Sequence, residues 1–391
     1  MKSIKQIDVA HKKIFVRVDY NVPVDEDLNI TDDNRIQATL DLIHYLIENK
    51  AKIILASHMG RPKGKPDPKL SLKKVGQRLS QLLDQPVIFA EDCVGEGVKA
   101  MVDQLKDGQI LLLENLRFHP EEQKNDDSFS NALAALCDVY VNDAFAVSHR
   151  DQASVTGITR FVHQKAAGFL LEQEMQAYHD SVENPKRPLV AVIGGAKVST
   201  KLAALENMLN CVDCLIIGGA MANTFLKSQG VDTKGSMIEQ DLLQTAAGIV
   251  QTAVQKGVQL LLPQDLICAE AFDGAARVRT VSIKDIPDHW MALDIGPMTA
   301  ITYANAIKNA ATIVWNGPMG VFEMEPFMSG TQIVADAIAA SDAFSIVGGG
   351  DTGLAAKKCN VADQISYIST GGGAFLHLME GKKLPGVVAL E

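Results

Sequence analysis

The strongest constraint on this chain is a rhythm of short apolar runs, each ending in a polar or glycine-rich loop and followed by a helical pattern. In the first half the runs are KIFVRVDYN (13–21) and AKIILASH (51–58), then shorter ones at 87–90, 109–115 and 138–145. Helical periodicity at 71–83, 96–105 and 126–137 separates them. After a helical stretch over 169–182, closed by Asn184-Pro185-Lys186-Arg187-Pro188, the rhythm restarts with LVAVIGG (189–195), CLIIGG (214–219), QLLLP (259–263), ALDIG (292–296), TIVWNG (312–317) and AFSIVGGG (343–350). Strands that read as continuous apolar runs are buried on both faces, which is the mark of parallel sheets covered by helices. The pattern predicts an α/β chain of two domains, with the boundary near the 169–182 helix.

Composition narrows the function. With 47% hydrophobic and 21% charged residues over 391 positions, the chain can bury a large core and is not expected to be disordered. No uninterrupted apolar window is long enough for a membrane span, and Met1-Lys2-Ser3-Ile4-Lys5-Gln6 lacks the apolar core of a signal peptide. Six cysteines are too few for a disulfide scaffold, so a reducing cytoplasm is expected. Cys211-x-x-Cys214 has metal or redox spacing but no second pair, and reads as buried thiols. The net charge of −10 argues against nucleic acid as a partner. It is uneven: residues 1–170 carry 22 basic and 24 acidic groups, a balance of −2, whereas 171–391 carry 15 and 23, a balance of −8. A small polyanion is therefore expected on the N-terminal half.

Ligands of open parallel sheets bind beyond the carboxyl ends of the strands. There the first half delivers Asp19 and Asn21, then Arg35 at the start of the next helix, His58 and Arg61, Arg117, and finally Asn142, Asp143, His149 and Arg150. A lone arginine among these is most simply a solvated surface residue. Four at corresponding strand ends repel one another unless an anion is bound, and the guanidinium fork suits phosphate and carboxylate. Asp19 and Asn21 suit a hydroxyl instead. This half thus reads as a site for a small hydroxylated acid phosphate.

The second half carries different loops. Gly194-Gly195 precede Lys197 and Lys201, which share one helical face, and the glycines allow a phosphate close to the backbone. Gly348-Gly349-Gly350-Asp351-Thr352-Gly353 formally matches a dinucleotide fingerprint. That reading fails because no acidic ribose ligand follows about 20 residues on, and because Asp351 inside the turn would repel a bare pyrophosphate. An aspartate there makes sense if it meets Mg²⁺, which in turn meets phosphates. Gly218-Gly219 and Asn316-Gly317-Pro318 are candidates to line a base and ribose, with Glu323 accepting ribose hydroxyls.

Taken in order, RVDYNVP (17–23), SHMGRP (57–62), LLLENLRFH (111–119), AVIGGAKVSTK (191–201), WNGPMGVFE (315–323), GGGDT (348–352) and STGGGAF (369–375) resemble the phosphoglycerate kinase family over essentially the whole chain. The resemblance implies reversible transfer between 1,3-bisphosphoglycerate plus ADP and 3-phosphoglycerate plus ATP, with Mg²⁺, by a cytoplasmic monomer. It implies an α/β fold of two Rossmann-like three-layer domains, each with a central parallel sheet, joined by a helix hinge. Residues 1–170 would bind phosphoglycerate and 171–373 nucleotide, with a tail, 374–391, returning to the first domain. That tail carries Phe375, Leu376, Leu378 and Met379 at helical spacing. The resemblance also assigns roles. Asp19 and Asn21 would meet the substrate hydroxyl, and His58, Arg61, Arg117 and Arg150 the phosphate that does not move. Arg35 would sit at the reacting carboxyl. Lys197 would follow the transferring group, with Gly372 among the catalytic positions and hinge glycines. Gly195, Lys201, Gly218, Gly219, Asn316, Pro318, Glu323, Gly349, Gly350 and Thr352 would bind nucleotide, and Asp351 the metal. Two departures stand out. Tyr20 and Met59 replace Phe and Leu with similar bulk, and Asp151-Gln152 follows Arg150 where many members have Ala-His, so Asp151 is expected to weaken the field at Arg150 slightly.

The chemistry is self-consistent. A carboxylate nucleophile is already ionised at neutral pH, with a pKa of about 4, so no general base is required. Positioning and charge stabilisation must then carry catalysis. Two rivals are a dinucleotide-dependent oxidoreductase and a non-catalytic nucleotide-binding protein of the same fold. Arg35, Lys197 and Asp351, whose loss would mark the second, are all present.

Overall fold

A computed structural model describes all residues, Met1–Glu391, and divides them into two compact units: Met1–Met175 with Lys383–Glu391, and Gln176–Lys382.

The first unit is built on six parallel strands: β1 (Lys13–Arg17), β2 (Lys52–Ala56), β3 (Val87–Phe89), β4 (Ile110–Leu112), β5 (Val139–Asn142) and β6 (Gln164–Ala167). Their spatial order is β3-β4-β2-β1-β5-β6. The apolar runs are continuous because both faces are covered. On β1, Ile14 and Val16 enter the core packed by the helix Leu40–Glu48, while Phe15 turns to the opposite face beside Tyr140, and all are fully buried. Chain order reverses direction between β1 and β5, which opens a crevice at their carboxyl ends.

The second unit repeats the plan with β7 (Leu189–Ile193), β8 (Cys214–Ile217), β9 (Gln259–Leu261), β10 (Asp265–Ala269), β11 (Val278–Ser282), β12 (Met291–Ile295), β13 (Thr312–Asn316), β14 (Phe344–Val347) and β15 (Tyr367–Ile368). The parallel sheet runs β15-β14-β13-β7-β8-β9, and its reversal falls between β13 and β7. A separate antiparallel sheet, β11-β10-β12, lies beside it. The ALDIG run, expected in the parallel sheet, is β12 of this smaller one, because its backbone pairs with β10.

Two boundaries differ from expectation. The unit boundary falls inside the helix Phe169–Tyr178, after Met175 rather than after 170. The returning tail begins at Lys383 rather than 374. The apolar stripe on Gly372–Met379 is spent within the second unit: Phe375 packs where any side chain on Gly348 would stand, and Leu378 and Met379 carbonyls accept from Tyr178 Oη and Asn207 Nδ2, each at 2.8 Å. What reaches the first unit is the short helix Pro385–Val388. Gly386 N donates to Ser148 O at 2.8 Å, and Lys165 Nζ to Ala389 O at 2.6 Å. No helix is long and apolar enough to cross a membrane.

Candidate active site

At the β1/β5 reversal of the first unit the expected basic cluster forms. The strand ends present Asp19, His58, Arg117 and Arg150, and the Asn34–Gln37 helical turn presents Arg35. Asp19 is a counter-charge within this cluster, with buried Glu122 a second one acting on Arg117: Asp19 Oδ2 accepts from Arg35 Nη1 at 2.7 Å and Oδ1 from Asn21 N at 3.2 Å. Asn21 Oδ1 accepts from Gly60 N at 2.8 Å, which ties the first loop to the second. Arg117 Nη1 donates to Gly60 O at 2.8 Å, while its buried Nε–H has no partner. A buried guanidinium donor without a protein partner, inside a cationic cluster, is chemically suited to an anionic oxygen.

One member was not singled out from sequence. Arg17, inside the RVDYNVP motif, is fully buried. Its Nε donates to Ser154 Oγ at 2.8 Å, a third group donates to Val18 O, and Nη2 lies 3.3 Å from His58 Nδ1. A strand position gives no hint of this burial; the unpaired charge becomes visible only once Ser154 and His58 fold over it. Arg17 also settles the state of His58. Burial, then the charges of Arg17, Arg117, Arg150 and Arg35, hold that imidazole well below its usual pKa, so it is neutral. Arginine has only donors, so Nδ1 must accept and Nε2 carry the proton, ready to donate. The 3.6 Å approach of His58 Nδ1 to Asp19 is therefore not an ion pair.

Burial and then the neighbouring charges of Arg150 and Arg17 push Arg117 down to about 10, and burial likewise lowers Arg150. Arg61 is exposed, yet its charge acts on Arg150. The Asp151 carboxylate accepts from Asn125 Nδ2 at 2.7 Å and from Thr156 Oγ1, and the charges that act on Arg150 are those of Asp19, Arg17 and Arg61. A cavity of about 690 Å³ in this unit lies along other loops and is lined by no arginine. The anion site is defined by charge, not by volume.

At the β13/β7 reversal of the second unit a cavity of about 450 Å³ opens. Gly195, Lys197, Lys201, Asn316, Pro318, Gly349, Gly350, Asp351, Thr352 and Gly372 all line it. Lys201 Nζ donates to Gly194 O at 2.7 Å and Asn316 O at 2.8 Å, leaving its third N–H for the cavity. Burial lowers its pKa to about 8, against a smaller raising effect of Asp351. Thr352 Oγ1 accepts from Gly317 N at 2.7 Å, pinning the two loops together. The helix Gly350–Lys358 starts at Gly349 with φ +100° and no side-chain cap, so its first N–H groups face the cavity unsatisfied. A side chain on Gly372 would stand 2.8 Å from Gly349 Cα, which only glycine avoids. Gly219 backs onto Gly195, and Gly218 onto Met319, so both support the wall from behind. Glu323 is exposed and is not part of the lining.

Two parallel α/β units, one presenting a guanidinium cluster and the other a glycine-walled cavity with two lysines and an open helix N-terminus, define a phosphotransferase of the two-domain kind. The family model described as phosphoglycerate kinase matches residues 4–382. The phosphoglycerate kinase of Desulforapulum autotrophicum is 64% identical over 391 residues, 100% of either chain, and that of Desulfosudis oleivorans 57% identical, over 100% of this chain and 99% of the other. The solved phosphoglycerate kinase from Coxiella burnetii superposes with a TM-score of 0.91 at 43% identity, covering 99% of this chain and 98% of that one. The chain belongs to the phosphoglycerate kinase family.

Proposed function

We propose that the chain moves a phosphoryl group reversibly between the carboxyl oxygen of 3-phosphoglycerate and ADP, in the cytoplasm and as a monomer. The acceptor in the ATP-consuming direction is a carboxylate, and the carboxylate-compatible donors are those of the first unit. The orphaned Nε–H of Arg117, beside neutral His58 and Arg150, is the observation that carries the acid-phosphate assignment. Arg35, held by Asp19 and with its side chain 37% exposed, is placed to release toward the reacting carboxyl.

In the second unit the nucleotide phosphates occupy the Gly350 helix N-terminus, with Lys201 beneath them and exposed Lys197 free to follow the group in transfer. Magnesium fits this donor set: Asp351 is the only carboxylate lining the cavity, and it is exposed. Bound with nucleotide, Mg²⁺ neutralises charge on the phosphate oxygens. The half-sites belong to different units, so transfer requires them to be brought together. The Phe169–Tyr178 helix and the Ser369–Gly373 loop are the hinge candidates, and closure excludes the water that would hydrolyse an acyl phosphate.

Separate calorimetric titrations test the division of labour. Asp351→Asn should weaken Mg-ADP binding and leave 3-phosphoglycerate binding nearly intact. Equal loss of both would overturn the assignment, and a coupled assay with 3-phosphoglycerate and Mg-ATP tests the activity directly.

A further inference from the structure

The loops that leave β3 and β4 meet on the far side of the turn that carries Arg117 into the arginine cluster, at residues that the cluster does not use. The first carries Asp92 and Cys93, and the second ends its Leu116–Phe118 turn at His119. One ligand atom from each of the three residues lies within 4.8 Å of the others. His119 Nε2 is 2.7 Å from Asp92 Oδ1, and its ring is stacked on Phe129 with centroids 5.1 Å apart, which fixes its plane. The Cys93 sulfur is buried and in no disulfide, and burial, then the carboxylates of Asp92 and Glu122, push its thiol well above the usual range, so the metal itself must displace the proton. Asp92 and His119 also line the cavity of about 690 Å³, so these two groups are reached from solvent while Cys93 lies behind them.

We infer that Asp92, Cys93 and His119 form a binding site for one thiophilic divalent cation of the zinc class. The donor set decides the class: a thiolate with an imidazole and a carboxylate suits zinc or cobalt, whereas magnesium and calcium take oxygen. A tetrahedral zinc with bonds of about 2.0 to 2.3 Å holds its ligand atoms roughly 3.3 to 3.7 Å apart. The side chains of Asp92 and His119, 53% and 30% exposed, need to move by only about 1 Å to reach that geometry around a stationary Cys93. Water from the cavity supplies the fourth position. On binding, the Cys93 S–H proton leaves to solvent and a sulfur–metal bond replaces it, while the His119–Asp92 hydrogen bond opens. The metal then staples the β3 and β4 loops.

Cobalt(II) is the probe, added to the full chain after chelator treatment and desalting. The expected result is a thiolate-to-cobalt charge-transfer band with the strong visible bands of four-coordinate cobalt, saturating at one equivalent and bleached by zinc. Cys93→Ser should abolish the charge-transfer band. His119→Asn, with its folding checked by the melting temperature without metal, should weaken cobalt binding at least about 10-fold. Cys211→Ser should change nothing. Zinc should raise the melting temperature of the parent chain but not of His119→Asn. Cobalt at Asp351 would be oxygen-ligated and give no such band. Absence of the band, or its persistence in Cys93→Ser or undiminished binding in His119→Asn, would overturn the proposal and leave the triad as a loop-bracing hydrogen bond.

Discussion

If Lys201 meets the nucleotide phosphates as proposed, nucleotide binding should depend on pH in a calculable way. Burial brings its pKa to about 8, two carbonyls take two of its protons, and the third N–H faces the cavity. A nucleotide phosphate with a second pKa near 6 is fully ionised above pH 7.5, so the anion changes little while the lysine loses its charge. With a pKa of about 8, roughly nine-tenths of free molecules are charged at pH 7 and roughly one-tenth at pH 9. Bound phosphates hold the proton on, so binding at pH 9 must take one up. Mg-ADP affinity should therefore fall about tenfold from pH 7 to 9, or about 1.4 kcal/mol. Four of the cysteines do not compete: burial pushes Cys214 and Cys359 to about 11 and Cys137 and Cys268 to about 12. Calorimetry in buffers of different ionisation enthalpy counts the proton directly. Near pH 8.5 it should show an uptake of about three-quarters of a proton, which disappears in Lys201→Gln along with the slope. A flat affinity without proton uptake, or an unchanged slope in Lys201→Gln, would refute the reasoning.

Arg35→Ala should lower kcat by at least about 10²-fold, because an arginine at a phosphoryl group in flight acts mainly in the transition state, whereas Arg150→Ala should mostly raise KM for 3-phosphoglycerate; steady-state kinetics on both, side by side, separate the roles. Asp143 is fully buried, burial pushes its pKa up to about 7, Oδ1 accepts from Leu170 and Leu171 N, and Oδ2 has no partner. Its native state binds the proton more tightly than the unfolded chain, so it lowers stability progressively as pH rises from about 4 to about 7, by up to about 4 kcal/mol. Asp143→Asn should flatten that slope and be relatively more stable at pH 8 than at pH 4.5, as read from urea midpoints at both pH values. A Cβ on Gly386 would stand 2.7 Å from Val155 Cγ1 and 3.0 Å from Ser148 Cα. Gly386→Val should therefore cost about 1–3 kcal/mol and expose the tail to carboxypeptidase, while Val388→Ala, at a position 43% exposed, should do neither.

What the chain alone determined is whatever depends on local burial. Strands such as Lys13–Arg17, Leu189–Ile193 and Thr312–Asn316 were legible because strands covered on both faces carry an apolar run through their middle. The lysines, arginines and glycines at their ends were legible because parallel strands deliver their next residues to one edge. Gln164–Ala167 and Tyr367–Ile368 were not, being short edge strands with partial exposure and no apolar run. Pairing was equally hidden: ALDIG looks like any buried strand, and only its register with β10 puts it in an antiparallel sheet. The Phe375 stripe announces that it needs a partner but not which one, and space beside Gly348 settles that. Arg17 on His58, and Cys93 beside His119, are meetings of residues far apart along the chain. Periodicity records how deeply each residue is buried. Which buried residues meet is decided by sheet order and loop closure, and these exist only once the chain has folded.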